Sequence, residues 1–321
     1  MYACRVSEPN QSRPDVHIPV LADEVVRLLA PRAGETYADC TAGRGGHAAR
    51  MSLALGAGGT VVLNDLDAEC LDAARLAVES AGSGARVVGY RGNFADLPRR
   101  MAEGGLAAGM VLADLGFSST QMDDAARGFS FMRVGPLDMR LDASRGETAA
   151  DLVNTLPEAE LAGIIRDYGE ERLARAVARK LVAERERSPI ETTSRLAEII
   201  RSVVGVAGSG RIDPATRTFQ ALRIAVNDEL GNLESLLESV ERGAMLRRGG
   251  SVAGGWLAGG ARVGIISFHS LEDRIVKRAF ARMCESGLAR ALTRKPVEAT
   301  EDEVGMNRRS RSARLRVIEL T

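Results

Sequence analysis

Only four cysteines occur in the 321 residues, Cys4, Cys40, Cys70 and Cys284, and no two form a CxxC pair. That spacing argues against a cysteine zinc site and, in a chain this long, against a disulfide framework. Histidine is scarcer still, with three, none placed from another as a ligand pair, so no resident metal is expected. Neither sign of charge is in excess, since Lys+Arg and Asp+Glu both number 43. Any nucleic-acid contact must therefore come from local clustering. No apolar run approaches the roughly 18 residues that a membrane span needs. The N-terminal MYACRVSEPNQSRPD lacks the apolar segment of a secretion signal. The expectation is a soluble, cytoplasmic protein with no membrane partner. Its length suits about two domains, or one large α/β domain carrying an insertion.

What is present is alternation. After a loose polar arm before Asp15, DEVVRLLA from Asp23 reads as a short amphipathic helix. Apolar runs end at Cys40 (TYADC), span Gly59–Asp65 (GTVVLND), Ala85–Tyr90 (ARVVGY) and Ala108–Gly116 (AGMVLADLG), and helical stretches separate them. Runs of this length spaced this way indicate parallel strands covered on both faces. The rhythm then stops. Between Ser118 and Gly210 no strand is expected, and from Pro157 the pattern gives three helices. In the middle one, Glu170–Arg187, the residues Leu173, Ala174, Val177, Ala178, Leu181 and Val182 form one stripe. Glu170 and Glu171 open it, and Thr193 or Ser194 can cap the next. Alternation resumes with one long helix, Thr218–Leu246, then a strand, Ala261–Phe268, a helix, Leu271–Met283, and a closing strand, Ser312–Leu320. The Gly-rich stretch 247–264, which holds the single tryptophan Trp256, reads as a flexible loop before that fifth strand. The layout is an α/β domain in two parts, 1–118 and 212–321, interrupted by a helical insert at 119–211.

The glycine loop DCTAGRGGHAAR (Asp39–Arg50) marks a ligand site. A P-loop is excluded because no Gly-Lys-Ser/Thr follows. A dinucleotide fingerprint is weakly satisfied by Gly43, Gly45 and Ala48, with Asp65 or Asp67 available for a ribose. Two acids favour S-adenosylmethionine instead. Asp39 ends the first strand, where its carboxylate suits an ammonium and would sit poorly beside a pyrophosphate. Asp65 ends the second, where it can accept from both ribose hydroxyls. The fourth strand runs into DLGFSS, so Asp114 to Ser119 should face the transferred group.

Further motifs are HIPVLADEV at His17, DPATRTFQALRIAVNDEL at Asp213, SFHSLEDR at Ser267 and NRRSRSARLRV at Asn307. With these the chain closely resembles the RsmH (MraW) family of small-subunit ribosomal RNA methyltransferases, from about His17 to the C-terminus. The resemblance implies a class I methyltransferase domain of Rossmann-like fold with an inserted all-helical domain. It implies methylation of the exocyclic N4 of a cytidine in the decoding region, with S-adenosylmethionine as cofactor and the small ribosomal subunit as partner. Carried over by position, it puts Gly45, Gly46 and His47 on the cofactor, Asp65 on the ribose, Phe94 on the adenine, and Asp114 and Gln121 at the rest of the pocket.

For the chemistry, Asp114 is the candidate acceptor of the N4 proton or else a cofactor ligand, and Phe117 is a candidate stacking face for the base. Phe129 and Phe131 could stack on bases or pack in a core. Arg308, Arg309 and Arg311, near Arg294, Lys295, Arg314 and Arg316, are candidate phosphate contacts. His269 is assigned a structural or RNA-positioning role; a Ser267–His269–Asp273 hydrolase is disfavoured because no GxSxG elbow exists. The rivals are a non-catalytic ribosome assembly factor, a methyltransferase with a protein or DNA acceptor, and, least of all, a dehydrogenase. Monomer and homodimer both stay open.

Overall fold

The computed structural model describes residues 19–117, 121–122, 124–205, 213–250 and 255–321. The arm before Asp15, the start of the His17 motif, and Ser118 and Ser119 lie outside them. In chain order the first part holds α1 (Ala22–Leu29), β1 (Thr36–Asp39), α2 (Gly46–Leu55), β2 (Thr60–Asp65), α3 (Ala68–Ser80), β3 (Arg86–Arg91), α4 (Leu97–Glu103) and β4 (Ala108–Asp114). The second part adds β5 (Leu257–Ser267), β6 (Ala289–Ala291), β7 (Val297–Glu298) and β8 (Arg314–Leu320). The sheet order is β3-β2-β1-β4-β5-β8-β6, with β7 also on β8. The five strands from β3 to β5 are parallel, while β8 runs antiparallel to β5, β6 and β7. This is a Rossmann-like α/β sheet with an antiparallel edge.

Strand alternation decides which core each residue joins, because successive side chains leave a strand on opposite faces. Tyr37, Val61, Leu63, Met110 and Leu112 pack with Val25 and Leu29 of α1, Met51 and Leu55 of α2, and Ala74 and Val78 of α3. Their neighbours Ala38, Val62, Val111 and Ala113 face Leu233, Leu236, Leu237 and Val240 of the helix Glu229–Arg248. Both faces of the sheet are thereby covered, as its uninterrupted apolar strands require.

The insert has its own core. Its helices are Ala149–Thr155, Glu158–Gly169, Ala174–Arg185 and Thr193–Val204. Val153, Leu161, Ile165, Val177, Ala178, Leu181, Leu196 and Ile200 meet there. Ala215, Phe219 and Leu222 join them from the helix Ala215–Asn227, although that helix begins beyond residue 211. The first of the four, Ala149–Thr155, was not expected; its Thr148 makes a capping box with Asp151.

Four expectations are corrected. The long helix expected over Thr218–Leu246 is two, because Asp228 has φ 46° and turns the chain between Asn227 and Glu229. The helix expected from Glu170 starts at Ala174; Glu170 is itself left-handed (φ 49°), and its carboxylate reaches Ser270 and Arg274 on the helix Ser270–Glu285. The cap of Thr193–Val204 is Thr192, which accepts from the Arg195 N–H. The Gly-rich stretch is not all loop. β5 already begins at Leu257, and buried Trp256 donates its indole N–H to the Ser239 carbonyl at 3.2 Å.

Candidate active site

The strand order reverses between β1 and β4, the place where open α/β sheets bind ligands beyond their carboxyl ends. A cavity of about 420 Å³ lies there, within the usual size range of small-molecule sites. Its floor is the loop between β1 and α2. Gly43 has φ 50° and donates its N–H to Asp65 Oδ2 at 2.8 Å; Asp65 Oδ1 accepts from the Asp67 N–H at 2.9 Å. The loop is thus bent over the end of β2 by the same carboxylate that faces the cavity. Gly46, Asp65, Phe94, Asp114, His47 and Gln121 all line the wall, so the structure brings together six of the residues picked from the sequence.

Gly45 and Asp39 are placed differently. Gly45 (φ 80°) is set back from the wall; a Cβ there would meet Ala74 Cα at 2.6 Å, so the glycine lets α2 lie close against α3. Asp39 is buried behind the loop, off the cavity wall. It accepts from the Tyr37 hydroxyl at 3.0 Å and the Thr41 N–H at 3.2 Å. Thr41 Oγ1 in turn accepts from the Asp114 N–H at 2.8 Å. Through these contacts Asp39 fixes the loop that ties β1 to β4.

Three carboxylates therefore crowd the ends of adjacent strands, and none has a Lys or Arg ion pair among the described residues. Their acidity shows the strain. Burial pushes Asp114 up to about 8, with Asp39 and Glu272 adding repulsion. Burial likewise pushes Asp39 to about 7, against the pull of Tyr37 and Thr41. Asp65 is raised by burial as well. Asp114 Oδ1 is buried with no hydrogen-bond partner among the described residues, and His47 Nε2 stands 3.8 Å from Oδ2. Carboxyls that burial keeps protonated are ionised more readily beside a positive charge, so this wall suits a cationic ligand.

Residues 15–321 match the MraW methylase family. The chain belongs to that family. A ribosomal RNA small subunit methyltransferase H from Geotalea uraniireducens is 48% identical over 320 residues, covering 94% of this chain and 98% of the relative. The enzyme of the same name from Deinococcus radiodurans is 48% identical over 304 residues, with 94% and 89% covered. Among solved structures, a methyltransferase homologue from Pyrococcus horikoshii gives a TM-score of 0.42 at 12% identity, over 93% of this chain and 65% of its own. The Aeropyrum pernix fibrillarin with natively bound S-adenosyl-L-methionine gives 0.35 at 9%, over 89% and 67%.

In this MraW-family chain the aromatics of the insert are packed. Phe117 stacks on Phe129 (5.0 Å, 10°) and has the Arg223 guanidinium 4.9 Å from its centroid, while Phe131 sets an edge against Phe219 at 4.8 Å. Phe129 and Phe131 are core residues, and Phe117 is a wall residue whose ring is already engaged. The basic segment divides in two. Arg314 and Arg316 sit on β8 and pair with Asp273, whereas Arg308, Arg309 and Arg311 are exposed on a short 3-10 turn. Arg309 and Ser312 reach the rim of the cavity. His269 caps the helix Ser270–Glu285 in a capping box with Glu272, and Ser267 Oγ and Asp273 are bound elsewhere, to the Arg314 carbonyl and Arg316. No hydrolase triad is assembled. Asn93, Arg223, Glu229, Asn232 and Glu272 line the cavity without having been singled out. Among the described residues no helix is long and apolar enough to cross a membrane.

Proposed function

We propose that this chain transfers the methyl group of S-adenosylmethionine to the exocyclic N4 of a cytidine in the decoding region of small-subunit ribosomal RNA, in the cytoplasm. The observation that carries the reading is the cavity at the β1/β4 reversal, whose wall holds Asp65 and Asp114, neither with a Lys or Arg partner among the described residues. When bound, S-adenosylmethionine supplies a sulfonium-activated methyl. Asp65 would hold its ribose, the backbone of Gly43 and Gly46 would lie along it, and Phe94 and Gln121 would close the remaining walls. Asp39 acts from behind by holding Thr41.

Cytosine N4 is a weak nucleophile because its lone pair is delocalised into the ring. Alignment therefore does most of the work, an effect worth up to roughly 7–11 kcal/mol. Asp114 supplies the rest. Its carboxylate, which lines the cavity, would accept an N4–H, localise the lone pair and receive the proton as charge develops. In the ligand-free protein this carboxyl keeps its proton up to about 8; the positive charge of bound S-adenosylmethionine would ionise it and so ready it to take the N4 proton. A base in folded RNA must be splayed out to reach the cavity, and Arg309 at the rim, with exposed Arg308, Arg311, Arg294 and Lys295, would hold the flanking phosphates.

Incubating unmethylated small subunits with the protein and methyl-labelled S-adenosylmethionine tests the proposal. Label on RNA, mapped by mass to one cytidine N4, supports it; label on protein, or none, sinks it.

A further inference from the structure

The turn at Asp228 has a consequence for the reaction. In an unbroken helix, residues six apart point roughly 120° away from each other and do not meet. The left-handed Asp228 folds Glu229 back onto Arg223, where the two form a bidentate pair: Nε to Oε1 at 2.7 Å and Nη2 to Oε2 at 2.8 Å. The Asn227 amide fixes this bend, donating to the Arg223 and Met139 carbonyls and accepting from the Leu141 N–H. Arg223 is thus immobilised by its side edge and laid over Phe117 on the cavity wall.

A guanidinium has five N–H donors. Glu229 takes two, and Nη1 bonds to nothing among the described residues. The end of the fork, one N–H from Nη1 and one from Nη2, is left as two parallel donors. What it can receive follows from charge. Glu229 neutralises the guanidinium, Glu272 lies close enough to add its own negative field, and Asp114 is also acidic. A phosphate is disfavoured beside three carboxyl groups; a neutral edge with two adjacent acceptors is not. Nor does the same cluster suit a cation, because the Glu229 carboxylate is already committed to Arg223.

We propose that Arg223 is the specificity-determining residue of the acceptor site, its open fork reading N3 and O2 of the cytosine whose N4 is presented to Asp114. The inference rests on the function proposed above. Cytosine carries its amine next to two adjacent acceptors. Adenine, whose amine also stands beside a ring acceptor, has a C–H in the second place, and guanine's amine is followed past N3 by a ring carbon with no acceptor on it. A bidentate contact of this kind separates bases by roughly ten- to hundredfold. It also accounts for the strained Asp228 backbone, since strain of that sort persists where geometry is needed.

The test uses small subunits reconstituted with cytidine or 3-deazacytidine, in which N3 is replaced by C–H, at the target position. For the unaltered protein the substitution should lower kcat/KM by roughly tenfold or more. In Arg223→Lys, which has no fork, and in Arg223→Met combined with Glu229→Gln, which leaves no unpaired carboxylate, the same substitution should cost little further, with S-adenosylmethionine affinity retained. A merely structural role would slow both substrates alike and leave their ratio at the unaltered value. An equal deazacytidine penalty in all proteins overturns the assignment. Failure of the unaltered protein to methylate the cytidine subunits would instead remove the functional reading, and this inference with it.

Discussion

Asp114→Asn should stabilise the ligand-free protein, and increasingly so as the pH rises. Burial holds the native carboxyl at about 8, against 3.8 in an unfolded chain. Below about pH 4 both states carry the proton and no penalty exists. As pH rises the unfolded chain releases its proton while the fold retains it, so stability is lost progressively until the folded group ionises near 8. Each unit corresponds to about 1.36 kcal/mol. From pH 5 to 8 the ceiling is therefore about 4 kcal/mol. A quarter of the side chain still meets solvent, and halving for that screening leaves about 2 kcal/mol. Asn does not titrate. In urea or thermal melts without ligand, the variant's advantage should widen by about 2 kcal/mol between those pH values, or roughly 3 °C in Tm. With S-adenosylmethionine, positive charge beside Asp114 favours its ionised form, so affinity of the native protein should tighten as pH rises while that of the variant stays flatter. A stability gap independent of pH would refute the placement of Asp114 in a buried, acid-crowded site.

Asp65→Asn should weaken S-adenosylmethionine binding by roughly tenfold or more, the usual scale for hydrogen bonds to a charged acceptor, measured by calorimetry. Gly45→Ala must fit a Cβ 2.6 Å from Ala74 Cα at positive φ; it should lose about 1–3 kcal/mol in a denaturation curve. Replacing Arg308, Arg309 and Arg311 together by Ala should weaken RNA binding and flatten the slope of log affinity against log salt by about 2. An unchanged slope would remove those three from the interface.

The strands were legible because parallel strands buried on both faces are written as short apolar runs, and the acids Asp39, Asp65 and Asp114 stand at their ends. The insert helices were legible from stripes such as Val177, Ala178 and Leu181. Positions fixed by long-range contact were not. Apolar spacing does not distinguish Asp228 from a helical residue, since the pattern of Phe219, Leu222, Leu233 and Leu236 runs on both sides of the bend. The clue was the polar run NDE within an otherwise amphipathic segment, as Asn and Asp tolerate the left-handed region best. Trp256 and Leu257 looked like loop because glycines surround them, yet pairing with β4 decides their conformation. The packing of Gly45 against Ala74 was not legible, because a glycine that admits a ligand and one that admits a neighbouring helix read alike. Arg223, Glu229 and Asn232 lie far along the chain from the glycine loop, and only the fold carries them to the same cavity.

The claim on which the rest depends is that a cavity walled by unpaired acids selects a cationic nucleoside. Calorimetric titration with S-adenosylmethionine and with NAD, each at pH 6 and pH 8 in buffers of different ionisation enthalpy, tests it most directly. The account predicts saturable binding of S-adenosylmethionine with protons released into the buffer, and no binding of NAD. Binding of NAD, or S-adenosylmethionine binding without proton release at either pH, would contradict it.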